Sequence, residues 1–136
     1  MNKAGWSTFC KPLRKLGLVT LAIGSLLVGT LAEARGPVDG VGTVALSVLP
    51  SEVQQTQRLI HAGGPFPFAK DGVVFGNFER VLPRRERGFY REYTVPTPGS
   101  RDRGARRIVC GGGRPTQPEA CFYTADHYAN FKFIAQ

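Results

Sequence analysis

Sixteen consecutive uncharged residues, Leu16 to Leu31 (LGLVTLAIGSLLVGTL), follow four basic ones at Lys3, Lys11, Arg14 and Lys15 and run into Ala32-Glu33-Ala34. This segment decides how much chain is left to fold. A basic stretch, a short apolar stretch and small residues two apart form the pattern of a secretory signal peptide, here residues 1–34. The competing reading is a retained membrane anchor. Sixteen helical residues span about 24 Å, short of the roughly 30 Å hydrocarbon core, which favours cleavage after Ala34. The expectation is a secreted, extracellular protein of residues 35–136, with no stable membrane association once the leader is gone.

Cleavage also removes Cys10 and leaves Cys110 and Cys121, an even pair in an exported chain. An oxidising destination makes a disulfide their default state. They bracket a glycine-rich loop between two candidate strands, where facing side chains lie close. A metal is the weaker reading, since two Cys without a nearby pair of His make no closed site. The remaining 14 Lys and Arg against nine acids give a net charge of +5. Such a length supports one domain with a core of limited size.

Within that domain, residues 35–43 are glycine-rich and read as a lead-in, and Val44–Leu49 is a short apolar piece. Ser51 with Gln54 matches a capping box, and Val53, Thr56, Leu59 and Ile60 recur at helical spacing before Gly63-Gly64. Four strand candidates follow: Phe89–Val95, Ala105–Cys110, Cys121–Thr124 and Ala129–Ile134. One helix followed by hairpin-spaced strands predicts an α+β fold, the helix packed on an antiparallel sheet of about four to five strands.

The charge is concentrated. Ten Arg and only three acids (Glu86, Glu92, Asp102) lie between Arg80 and Arg114, interleaved or followed by Phe89, Tyr90, Tyr93, Phe122, Tyr123 and Tyr128. Guanidinium groups suit bidentate phosphate recognition, and aromatic faces suit unpaired bases, so single-stranded RNA is a candidate ligand. A solvated basic surface over ordinary core aromatics is the competing reading. Glu92 lies in a candidate strand, on one face with Tyr90 and Thr94 by alternation. His127 supplies a proton donor and acceptor near neutral pH, whereas His61 on the helix reads as structural. An acid, a base and phosphate-binding guanidiniums are the parts needed to move a phosphoryl group between oxygens.

Four segments carry a family resemblance: Asp71–Glu79 (DGVVFGNFE), Arg91–Val95 (REYTV), Pro98–Ile108 (PGSRDRGARRI) and Asp126–Phe131 (DHYANF). In this order and spacing, over roughly Gly42 to Ile134, the chain resembles the small secreted guanyl-specific ribonucleases of the barnase type. The resemblance implies the microbial ribonuclease fold and an endoribonuclease without metal or other cofactor. It makes Glu92 the general base, His127 the general acid, and Arg103 and Arg107 the phosphate-binding charges. Alternation prevents Arg106 and Arg107 from both entering the site, and the family pattern selects Arg107. Tyr128 is expected beside the site and Tyr93 beneath it.

The same resemblance places guanine recognition on Phe75, Gly76, Asn77, Phe78 and Glu79. Glu79 accepts from the guanine ring N–H and amino group, Gly76 and Asn77 lie in a donating loop, and Phe75 supports it. Phe78 departs from the polar or basic side chain often found there. A small acidic intracellular inhibitor protein and a monomeric state are further implications. The alternative function is a non-catalytic cationic protein that binds RNA or anionic envelopes through its arginines; it would survive replacement of both Glu92 and His127.

Overall fold

The computed structural model describes residues 40–136, so the leader, its cleavage site and Cys10 lie outside the described residues. The strands are β1 (Gly42–Ala45), β2 (Val73–Val74), β3 (Tyr90–Thr94), β4 (Arg107–Gly111), β5 (Ala120–Thr124) and β6 (Lys132–Ala135). They form one sheet in the order β1-β6-β5-β4-β3-β2. The α+β class holds, with six strands rather than four to five. The sheet is also mixed: β1 runs parallel to β6, and every other pair is antiparallel. The glycine-rich lead-in thus becomes a strand from Gly42, and a 3-10 turn at Leu46–Val48 replaces a simple apolar run.

The helix, α1 (Ser51–Ala62), buries Val53, Thr56, Gln57 and Ile60, while Leu59 is half-buried. Its start is not the expected capping box. Pro50 occupies the cap position, and its carbonyl accepts from the Val53 and Gln54 N–H groups. A capping box needs an N–H at the cap for the returning side chain, and proline has none. The Gln54 amide instead donates to the Leu49 carbonyl at 2.9 Å. At the other end Gly63 is left-handed (φ 78°), and the Gly63 and Gly64 N–H groups close on Ile60 and Leu59.

Strand alternation sorts the sheet into two faces, each with its own core. On one face Val53 and Ile60 of α1 pack with Tyr93, Val95, Ile108, Cys110, Cys121, Tyr123 and Ile134. On the other face Leu82, Tyr90, Val109, Phe122 and Phe131 pack with Phe75, Phe89, Tyr128 and Phe133. Glu92, Thr94, Arg107 and Thr124 belong to this second face by the same alternation. Cys110 and Cys121 are direct cross-strand partners on the helix side and form the expected disulfide. Among the described residues no helix is long and apolar enough to cross a membrane.

Candidate active site

Beyond the second core, the loops before β4 and after β5 meet the loop that follows β2. The register sets Thr94, Arg107 and Thr124 side by side across three strands, with Glu92 two residues back along β3. The His127 N–H donates to the Ala105 carbonyl at 3.1 Å, tying the histidine loop to the arginine loop. His127 and Tyr128 both have positive φ (55° and 73°). Thr124 and Asp126 hold this turn: Thr124 Oγ1 donates to Asp126 Oδ1 at 2.8 Å and accepts from the Tyr128 N–H at 3.1 Å. Asp126 also accepts from the Asn130 side chain and backbone, at 2.7 and 2.9 Å. These bonds hold the Asp126 carboxyl down at about 2, Asn130 contributing most.

Glu92 is gripped from two sides. Arg103 Nη2 donates to Oε1 at 3.2 Å, and the Tyr128 hydroxyl donates to Oε2 at 2.7 Å. Arg103 is itself fixed by its Nε, which donates to Thr94 Oγ1 at 2.8 Å. Burial, and then the bond to Glu92, push the Tyr128 phenol above its ordinary range, so it remains a donor through neutral pH. Arg107 is only 2% exposed. Its Nη1 donates to the carbonyls of Arg106 (2.7 Å) and Gly104 (2.8 Å), its guanidinium lies 6.0 Å from the Tyr128 ring, and its buried Nε makes no hydrogen bond.

A cavity of about 560 Å³ opens over this arrangement. Its wall contains Phe75, Gly76, Asn77, Phe78, Glu79, Glu92, His127 and Tyr128, eight of the side chains expected at the site. Arg103 and Arg107 are not part of that wall; each reaches it through a neighbour, Arg103 through its bond to Glu92 and Arg107 through the Tyr128 ring. Phe75 stacks on Tyr128 (5.2 Å, 28°) and is anchored by its N–H to the Tyr90 carbonyl. Asn77 has φ 44°, and its amide closes the loop through bonds to Leu82 N–H and carbonyl at 3.1 and 2.9 Å. Its side chain therefore shapes the loop. Tyr93 lies on the helix side, its ring tilted against Phe66 at 5.1 Å.

The matching family model, described as ribonuclease, covers residues 33–135. The chain belongs to this ribonuclease family. It is 54% identical to guanyl-specific ribonuclease Sa of Kitasatospora aureofaciens over 98 residues, 72% of this chain and 98% of that one. It is 47% identical to guanyl-specific ribonuclease St of Saccharopolyspora erythraea over 97 residues, 71% of this chain and 91% of that one. A structure of ribonuclease Sa2 complexes with mononucleotides aligns with a TM-score of 0.65 at 45% identity, over 71% of this chain and 95% of the other. Another, of ribonuclease Sa2 with guanosine-2'-cyclophosphate, aligns with a TM-score of 0.63 at 44% identity, over 70% and 97%.

Two groups of this ribonuclease escaped the sequence reading. Asp71, which the sequence places only at the start of a family-like segment, has a side chain 1% exposed; it accepts from the Thr94 N–H at 2.7 Å and lies 3.8 Å from Arg103 Nη2. It steadies the strand and arginine that hold Glu92. Thr124 and Asp126 are the second group, and their signal was local: a Thr-x-Asp just before the histidine is a turn-forming pattern. Among the described residues no group of His, Cys, Asp and Glu is placed to hold a metal ion.

Proposed function

We propose that this ribonuclease cleaves single-stranded RNA on the 3' side of guanosine in two steps that need no metal. In the first, Glu92 takes the proton of the ribose 2'-hydroxyl, and the 2'-oxygen attacks phosphorus. The bond to the 5'-oxygen breaks, and His127 gives that oxygen its proton. A 2',3'-cyclic phosphate and a free 5'-hydroxyl result. In the second step water opens the ring with the roles exchanged, His127 as base and Glu92 as acid. DNA lacks the attacking hydroxyl and is not a substrate.

The observation that carries this reading is the shared cavity: Glu92 and His127 line one wall system together with Phe75–Glu79. The bonds from Arg103 and Tyr128 orient the Glu92 carboxylate. The Arg103 and Arg107 guanidiniums supply positive charge where the phosphorane gains negative charge. Glu79 pairs with the two donors of guanine and would be left unpaired by adenine, which is the source of discrimination.

The test uses short RNAs, one containing a single guanosine. Cleavage should occur at that position with a cyclic phosphate detected before the monoester. Glu79→Ala should flatten the preference without abolishing cleavage, and equal cutting by the unaltered protein after all four bases would overturn the specificity.

The leader belongs to the same proposal: residues 1–34 direct export and are removed, and residues 35–136 act outside the cell as a monomer. Mass spectrometry of secreted protein should find Arg35 at the start, whereas full-length protein in the membrane fraction would refute this. Because the site would act on the producer's own RNA, a small acidic inhibitor that covers the arginine-rich cleft is part of the reading. Such a protein should co-purify with enzyme retained in the cell.

A further inference from the structure

Three of the four residues from Arg84 to Arg87 are exposed arginines, with one acid, Glu86, among them. They lie outside the cavity that holds Glu92 and His127. Their segment is tied down at three points. The Tyr90 hydroxyl donates to the Pro83 carbonyl at 2.8 Å, the Phe89 N–H to the Glu86 carbonyl at 3.2 Å, and the Gly112 N–H to the Phe89 carbonyl at 3.2 Å. The Arg85 guanidinium lies over the Phe89 ring, 5.4 Å from its centroid. Phe89 in turn packs edge-on to Tyr90 at 5.0 Å, and a methyl group at Gly111 would overlap its ring. The ring therefore has a built seat, and the seat holds a charge.

Two concavities, of about 690 and 310 Å³, adjoin at Glu86, Phe89 and Glu119 and between them take in Arg84, Arg85, Arg87 and Arg91. Four arginines against two glutamates leave this surface cationic. It also lies close to the cleavage cavity. Phe89 and Glu92 are three residues apart in extended chain, about 10 Å. The chain from Glu79 reaches Arg84 in five residues and passes the exposed Arg80 on the way.

We propose that Arg84, Arg85 and Arg87 form a second RNA subsite, which binds backbone phosphates of nucleotides outside the pair joined at the cleaved bond. The inference rests on the reading that this protein cleaves RNA in the cavity of Glu92 and His127. A guanidinium laid on a seated ring is already ordered, so it gives up little entropy when a phosphate arrives. Its planar fork suits two phosphate oxygens at once. Contacts to the backbone carry no sequence information, so this subsite adds affinity and leaves base choice to the cavity. The dinucleotide GpC has a single phosphate, the one at the cleaved bond, and nothing left over for the arginines. A longer strand has a phosphate at every further nucleotide.

Steady-state cleavage of GpC and of an RNA of about 12 residues with one central guanosine tests this. The triple variant Arg84→Ala, Arg85→Ala, Arg87→Ala should match the unaltered protein on GpC in both kcat and KM. On the longer RNA its KM should rise about tenfold at low salt with kcat in place, the mark of uniform binding lost. The difference should fade as salt rises, because each phosphate contact removed takes about 0.7 from the slope of log affinity against log salt. A second triple variant, Arg58→Ala, Lys70→Ala, Lys132→Ala, removes the same charge at exposed positions elsewhere and should leave both substrates nearly unaffected. An unchanged KM on the longer RNA, an equal rise on GpC, or an equal rise in the second triple variant would each overturn the proposal. So would loss of adsorption to anionic phospholipid vesicles with no change on RNA, which would assign the arginines to a membrane surface. If the unaltered protein cuts neither substrate, the proposed function and the subsite fall together. If it cuts both and the first triple variant equals it, only the subsite falls.

Discussion

Tyr128 and Glu92, on different elements and 36 residues apart, share a 2.7 Å hydrogen bond in which the phenol donates to Oε2. Phe75 stacks on the same tyrosine ring, so one side chain touches both the carboxylate and the Phe75–Glu79 loop. Tyr128→Phe keeps the stack and removes only the donor. A hydrogen bond to a charged group is worth about 1.5–3 kcal/mol, so kcat/KM should fall roughly ten- to a hundredfold. Nucleotide affinity should hardly move. An unaltered kcat/KM would mean that Arg103 alone fixes Glu92.

Removing either group proposed to transfer a proton should be more severe. Glu92→Gln and His127→Ala should each lower kcat by about 10²–10⁴-fold, the usual contribution of a positioned acid or base. The first step needs one group deprotonated and the other protonated, so kcat/KM should pass through a maximum with pH and lose one limb in each variant. Addition of a chelator should change nothing. Full activity in either variant, or loss of activity on chelation, would remove the assignment.

The histidine turn should be the acid-sensitive part of the molecule. Asp126 is held at about 2 against an ordinary 3.8, chiefly by Asn130 and then Thr124. A lowered carboxyl stabilises the folded state above its unfolded value and loses that contribution as pH falls from about 4 through 2. Asp126→Asn should therefore lower the urea midpoint at pH 6 and match the unaltered protein near pH 2. A gap that persists at pH 2 would assign the effect to packing instead.

The Cys110–Cys121 bridge closes a loop across a sequence separation of 11. A loop this short is expected to add up to about 3 kcal/mol by restricting the unfolded chain. Replacing both cysteines by alanine should lower the thermal midpoint while leaving kcat unchanged, because the bridge lies on the helix face of the sheet. Titration of native protein should find no free thiol on Cys110 and Cys121.

What the sequence revealed and what it hid divide along physical lines. The helix, β3, β4 and β5 carry their own periodicity, and the alternation that put Glu92 with Thr94 holds in the sheet. The selection of Arg107 over Arg106 drew on alternation and family resemblance together, and Arg107 proved to be the more deeply buried of the two. By contrast, β1 is Gly-Thr-Val-Ala beside a distant parallel partner, and β2 is two residues long, so neither has a local signature. The capping box misled because the helix starts one residue early: Pro50 takes the cap position, so Ser51 is already inside the first turn. Asp71 was hidden for a different reason. Its task is set by Thr94 and Arg103, and nothing in a solitary Asp-Gly names those partners.

The pairing of Gly42–Ala45 with Lys132–Ala135 carries a consequence for the order of events during synthesis. The edge strand that opens the described chain has nowhere to dock until the final strand has been made. His127 and Tyr128 also arrive just before that strand, and β6 pairs with β5, which leads into their turn. A growing chain therefore carries α1, the Phe75–Glu79 loop and Glu92 before it carries His127 or the strand that β1 joins. The sheet is completed only a few residues after His127 and Tyr128 have been added. Under the roles proposed for Glu92 and His127, the topology works as a delay: competence waits for β6, the strand that follows them both and that β1 needs as its partner.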